Sequence, residues 1–404
     1  MRERTRPSVL LILILAGLPV FVAANPSAAA ALRVQCAASG LASGPAPWAQ
    51  QLLGLDRVAG LSTGAGVTVA VLDTGVDSAQ PGLRGRVQGG ADLVATGQGN
   101  NDCVGLGTQL AGIVAAGDGH GVAPRAEILP VRVIDQYAPP DPQRLAAGVD
   151  WAVAHRARVV LVGLAITADA PSLRSAVARA IGAGVAVVAP AGDQATQGDP
   201  TPYPAAYPDV VGVGAVDSGA ARAAFSQVGP YVDLVAPGVR VATLQRGTGL
   251  ATVDGTAAAA AFVAGALALV LARYPDLTAA QATDQLMATA APAAGHEPEA
   301  YGHGLVDPYA AVSTVPGRVG RPAPPATPLA FAPPAPGHDA AAIPNTAVLV
   351  TAIVLAVALV AIAVAAAMAR GGRRRWRPGL ARPMPRVGHG EPGPPVRLFQ
   401  DRGA

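Results

Sequence analysis

Four short runs constrain this chain more than any other feature. GVTVAVLD (66–73), AEILPVRVI (126–134), ARVVLVGLAI (157–166) and VAVVAPAG (185–192) are apolar on nearly every residue. A strand wetted on one side alternates polar with apolar residues, so a run with no polar face must be covered on both. Helical patterns separate the runs. Thr108 to Ala116 reads as a small-residue helix, DPQRLAAGVDWAVAHRA opens on Asp141 as cap with Pro142 at the first helical position, and SLRSAVARAIGAG closes on glycines. Strands that alternate with helices in this way predict an α/β fold with a mostly parallel sheet covered by helices. Reactive groups in such folds gather beyond the carboxyl ends of the strands. Asp73 and Asp193 both stand at such ends.

Aromatic residues make up only 4% of the 404 residues, so the core must be built from Ala, Val and Leu. The formal net charge of +3 conceals a segregation, because nine arginines after residue 368 face only Glu391 and Asp401. The body is therefore acidic, which argues against nucleic acid as a partner. All 29 basic residues are arginine, which excludes a Ser–Lys dyad or a Schiff base.

The two ends point to a membrane. Arg2, Arg4 and Arg6 precede VLLILILAGLPVFVAA, a secretory signal expected to occupy 1–30, with an uncleaved anchor as the alternative. Thr346 to Met368 is 23 residues without a charge. At ~1.5 Å per residue this crosses a hydrocarbon core of roughly 30 Å. Arg370, Arg373, Arg374, Arg375 and Arg377 follow at once, so the tail 369–404 is expected in the cytoplasm and the main domain outside the cytoplasmic membrane. A Pro/Ala-rich linker (315–345) joins the span to a domain expected over 66–314. The extension 31–65 leaves room for an arm rather than a folded pro-domain. Cys36 and Cys103, both exported, suggest one disulfide, two free thiols being the alternative. Gly255 to Tyr274 is apolar enough to suggest a second span, but its ordered surroundings favour a buried central helix, followed by a surface helix capped by Thr278.

VAVLDTGVD around Asp73, GLGTQLAGIVAA around Leu106, VAVVAPAGD ending at Asp193 and DGTAAAAAFVAG around Ala257 together resemble the subtilisin-like serine proteases. QLLGLDRVAGLSTGAGVTVAVLDTGVD, the DC–G–GT loop and the C-terminal anchor resemble the mycosins, membrane-anchored subtilases of type VII secretion. The resemblance implies a subtilisin-like three-layer fold with one C-terminal transmembrane helix, and type VII secretion membrane-complex subunits as partners. An active mycosin or secreted peptides are alternatives among the expected partners, and one helix is expected to meet the lipid bilayer.

The family's triad positions fall on Asp73, Leu106 and Ala257, its oxyanion position on Asp193, and its substrate-lining strand on Gly163, Leu164 and Ala165. Leu106 cannot accept a proton, Ala257 offers only a methyl, and Asp193 faces developing negative charge with a carboxylate. The expectation from these residues is a non-enzyme, a structural homologue serving assembly. A peptide-binding module using an edge strand near Gly163 is the alternative, and a serine endopeptidase with non-standard residues is the third. Asp73 is expected to hold its turn by accepting backbone N–H bonds, its pKa raised if it stays buried without a partner. His120 in GDGHGVAP is read as a loop residue, and Thr256 has no base beside it in any motif position. His296, Glu297, Glu299 and His303 are not read as a zinc site, because Pro298 disfavours a helix carrying HExxH there. No metal or cofactor is expected.

Overall fold

The computed structural model describes residues 36–42, 47–117, 119–135, 139–293 and 297–317. The expected signal, nearly all of the linker, the membrane span and the tail lie outside these residues.

The strands are β1 (Thr68–Asp73), β2 (Ala91–Asp92), β3 (Glu127–Arg132), β4 (Val159–Val162), β5 (Ala186–Pro190), β6 (Val211–Val216), β7 (Leu234–Pro237), β8 (Val241–Leu244) and β9 (Leu250–Val253). The helices are α1 (Trp48–Leu52), α2 (Leu55–Val58), α3 (Leu106–Ala115), α4 (Pro142–Ala154), α5 (Pro171–Gly182), α6 (Thr256–Arg273), α7 (Ala279–Ala288), α8 (Pro298–Tyr301) and α9 (Pro308–Ser313). Seven strands form one sheet in the order β2-β3-β1-β4-β5-β6-β7, every pair parallel, and β8 with β9 makes a separate antiparallel hairpin.

The strand side chains alternate between two cores with the period of two that a pleated strand imposes. Val69, Val71, Val159, Leu161 and Val188 point to the layer of α3 and α6, where Leu110, Val114, Phe262 and Leu267 meet them. Ala70, Leu72, Val160, Val162 and Val187 point the other way, against Leu145 and Val149 of α4 and Leu173 and Val177 of α5. The result is the expected three-layer α/β arrangement.

Helix starts follow local chemistry. Asp141 accepts from Gln143 N with Pro142 at the first turn of α4. Thr278 caps α7 in a reciprocal box, its hydroxyl accepting from Gln281 N while Gln281 Oε1 accepts from Thr278 N. Thr278→Ala is expected to lower unfolding free energy by about 1 kcal/mol, read from the urea midpoint. A change below about 0.3 kcal/mol would show that packing alone sets this helix.

Among the described residues α6 is the one helix long and apolar enough to cross a membrane, and 83% of that stretch is buried inside the protein. It is the central helix of a globular core. Helix α3 starts at Leu106 rather than at Thr108, because a carboxylate ahead of it, Asp102, accepts from both Gly105 N and Thr108 N. Strands β2 and β6–β9 carry no signal of their own in the sequence analysis. VGVGAV looks weak as a strand because it contains glycine, yet a Cβ at Gly212 would lie 1.8 Å from the Tyr231 carbonyl oxygen. The glycine admits a close backbone.

Residues 36–42 form an arm fastened at both ends. Cys36 and Cys103 are joined by a disulfide, Ala37 N donates to Cys103 O, and Leu41 pairs antiparallel with Leu250 on β9. Arg246 donates from Nη1 to Ala37 O and from Nε to Asp102 O. The arm is thereby tied to the loop that leads into α3.

Candidate functional site

From β1 the chain runs to the sheet edge at β2, returns through β3 and then crosses β1 to reach β4. The sheet therefore changes winding direction at β1, and the crevice beyond its carboxyl end is where an open α/β sheet binds ligands. Asp73 is the last residue of β1, Gly163–Ala165 follow β4, and Asp193 lies just past β5. Leu106 opens α3, and Ala257 sits in the first turn of α6. A cleft of about 250 Å³ brings together Leu106, Gly163, Leu164, Ala165, Asp193 and Ala257, with Thr256 also on its wall.

Asp73 does not line this cleft. It is 1% exposed, packed below Gly163, where an added Cβ would fall 2.2 Å from its Oδ2 and 2.7 Å from Leu110 Cδ1. Only glycine permits that approach. Oδ1 accepts from Thr74 N at 2.7 Å, while Oδ2 is buried and has no hydrogen-bond partner among the described residues. Burial pushes this carboxyl up to about 7, with the nearby charge of Asp102 adding to the rise and the bond from Thr74 opposing it.

Asp102, which the sequence analysis did not single out, is the most heavily bonded group nearby. It is fully buried, and its carboxylate accepts from Thr74 Oγ1 (2.9 Å), Gly105 N (2.7 Å), Thr108 N (2.9 Å) and Thr108 Oγ1 (2.7 Å). Gly107 N donates in turn to Thr74 Oγ1. The network locks the start of α3, and so the position of Leu106, onto the turn after β1. Its sequence signal is its place in the DC–G–GT loop, which marks the family resemblance but not the bonds this carboxylate makes.

Asp193 requires a correction. Its carboxylate does not simply face the cleft as a repelling charge, because Oδ1 accepts from both Thr256 N and Thr256 Oγ1 at 2.8 Å. It thereby caps the 18-residue helix α6, where the unpaired N–H groups and the helix dipole favour an anion. Thr256 Oγ1 also accepts from Gly192 N. Leu106 and Ala257 are half-buried and offer the cleft only carbon.

The segment at Gly163 is not an edge strand. β4 is interior, paired with β1 on one side and β5 on the other, and Gly163 N donates to Leu72 O. Beyond the sheet rim the situation changes. The Gly163 carbonyl and the backbone groups of Leu164 and Ala165 bond to no other described residue, until Ile166 pairs with Tyr203.

His120 lies in the loop after α3, its carbonyl accepting from Gln50 Nε2, and it does not line the cleft. Glu297 precedes α8, Glu299 lies within it, and His303 N donates to Asp233 O. His296 lies outside the described residues, among which no group of three or more His, Cys, Asp or Glu residues converges on a metal-sized site.

Residues 64–304 match the subtilase family, peptidase S8. Subtilisin DY of Bacillus licheniformis is 36% identical over 251 residues, which span 60% of this chain and 91% of the relative. Among solved structures, the serine protease MycP1, described as an essential component of the type VII (ESX-1) secretion system, superposes with a TM-score of 0.61 at 32% identity. That likeness covers 70% of this chain and 93% of MycP1. MycP3, a protease from the type VII (ESX-3) secretion system, gives 0.58 at 32% identity, over 69% of this chain and 92% of its own.

These matches overturn the expectation that the chain is not an enzyme. The family is a peptidase family, and the relatives named above are proteases.

Proposed function

Because this chain belongs to the subtilase family, peptidase S8, and has the mycosin-like form of that fold, we propose that it works within a type VII secretion membrane complex. In this reading residues 346–368 anchor it in the cytoplasmic membrane, the 66–314 domain lies outside, and the cleft takes up extended polypeptide. The observation that carries the first part is the likeness to two proteins of such systems over some two thirds of the chain. The domain retains a tightly packed sheet and an arm fastened by a disulfide, so its shape and outer surface are rigidly defined for contact with neighbouring subunits.

Peptide uptake is supported by the strip Gly163–Ala165, where the Gly163 carbonyl and the backbone groups of Leu164 and Ala165 have no partner among the described residues and border the cleft. An extended segment laid alongside would gain main-chain hydrogen bonds by strand addition. Cleavage of such a segment, the activity of the family, would draw on groups other than the side chains at 106 and 257, which carry neither base nor nucleophile. Labelling by a serine-directed phosphonate probe, absent from heat-killed protein, would reveal an activated hydroxyl able to serve such cleavage.

The test of the complex is gentle detergent extraction of the tagged full-length chain, a native gel, and mass spectrometry of what co-purifies. Migration as a very large species with secretion-complex subunits is the expected result, and deleting residues 31–315 should shrink it. Migration as a lone monomer would overturn the proposal.

A further inference from the structure

We propose that the cleft selects a cationic nitrogen, an arginine or lysine side chain of the bound segment, through Asp193 and Asp254. This rests on the reading of the cleft as a peptide site and names the class of peptide it takes.

Among the described residues, two carboxylates line the cleft and no basic residue does. Each is half used. Asp193 spends Oδ1 on Thr256, and its Oδ2 takes no hydrogen bond from any described residue. Asp254 spends Oδ1 on Arg240 N, and its Oδ2 is likewise free. Neither carboxylate is within ion-pair distance of an arginine among the described residues. The remaining polar side chains on the wall, Thr167, Gln194 and Gln227, are neutral and supply no counter-charge.

Geometry adds to charge. The helix α6 terminus holds Asp193 in place from one side, so its free oxygen is oriented without needing the ligand to order it. Leu106 and Leu164 also line the cleft, and their carbon suits the methylene stem behind a guanidinium or ammonium. The unpaired strip at Gly163–Ala165 supplies the main-chain partner. A peptide bearing a carboxylate at the same place would meet two like charges.

Both carboxylates are solvent-exposed, so the preference is modest and sensitive to salt. The full-length chain in detergent micelles is titrated with fluorescently labelled Ala/Val heptapeptides, measured by anisotropy. Three are blocked at both ends and carry Arg, Gln or Glu at the centre, and a fourth has the Gln centre with a free amino terminus. The Arg peptide is expected to bind about five-fold tighter than the Gln peptide, with Glu weakest and the preference shrinking in 0.5 M salt. Asp193→Asn, which keeps an acceptor for Thr256, and Asp254→Asn should each move the Arg-to-Gln ratio toward one. Equal binding of the blocked Arg and Gln peptides overturns the selection while leaving peptide uptake standing. Preference for the free amino terminus over the Arg side chain also overturns it, transferring the site to an α-ammonium. Failure of all four peptides to bind overturns peptide uptake and this inference together.

Discussion

Asp102→Ala should lower the unfolding free energy by about 3–5 kcal/mol, because it leaves several buried donors without an acceptor. The carboxylate is the acceptor for two backbone N–H groups and two hydroxyls, all in a region closed to water. Removing it strands two backbone N–H groups, at about 1–3 kcal/mol each, while the two hydroxyls can rotate away from the gap. Asp102→Asn is the informative companion. It keeps the volume and one carbonyl but turns an NH₂ toward donors, so it should fall between wild type and the alanine variant. Urea unfolding followed by far-UV circular dichroism reads both. A loss below about 1 kcal/mol for the alanine variant would mean that packing, not this network, positions the start of α3.

The second large effect is a dependence of stability on pH that runs opposite to the usual carboxylate. Most native carboxylates are stabilised as anions, so their contribution is lost on acidification. Asp73 is raised from 3.8 to about 7 by burial. Between those values the folded chain holds a proton on Asp73 that the unfolded chain has released. Stability contributed by this group is therefore fully present below about pH 4, falls as the pH rises, and is exhausted above about pH 7. The span corresponds to a loss on the order of 4 kcal/mol. Burial raises Asp233 as well, in the same direction, so the comparison must be made by difference. Asp73→Asn keeps an acceptor for Thr74 N and cannot titrate. Plotted against pH from 4 to 8, unfolding free energies of wild type and variant should diverge, with the variant gaining on wild type toward alkaline pH. Parallel curves would show that Asp73 does not hold its proton in the folded protein.

Both predictions concern one small volume, the turn after β1 and the start of α3, and only one of its two acids had a role assigned from the sequence. Asp73 closes a buried strand run, a position that declares itself in one dimension. Asp102 sits in NNDCVGLG, where the DC–G–GT pattern marks a resemblance but nothing local says that this acid is buried and bonded. The same contrast holds across the cleft. Leu106, Ala257 and Asp193 could be placed by the motifs around them, but the bond from Thr256 to Asp193 joins residues 63 apart and gives one oxygen of that carboxylate a capping role the motif does not show.

The sequence by itself determined the α/β class, the burial of the four apolar runs on both faces, the caps at Asp141 and Thr278, and the family. Each of these rests on interactions between residues a few positions apart, or on runs whose period states how many faces are covered. Only the tertiary structure decided the strand order that makes β4 interior, the glycines 163 and 212 as points of close approach, the free oxygens of Asp193 and Asp254, and the unpartnered oxygen of Asp73. Those depend on which distant backbone group arrives beside a given side chain. No local pattern encodes that, because a hydrogen bond to residue 102 and one to water place the same demands on the residues next to it.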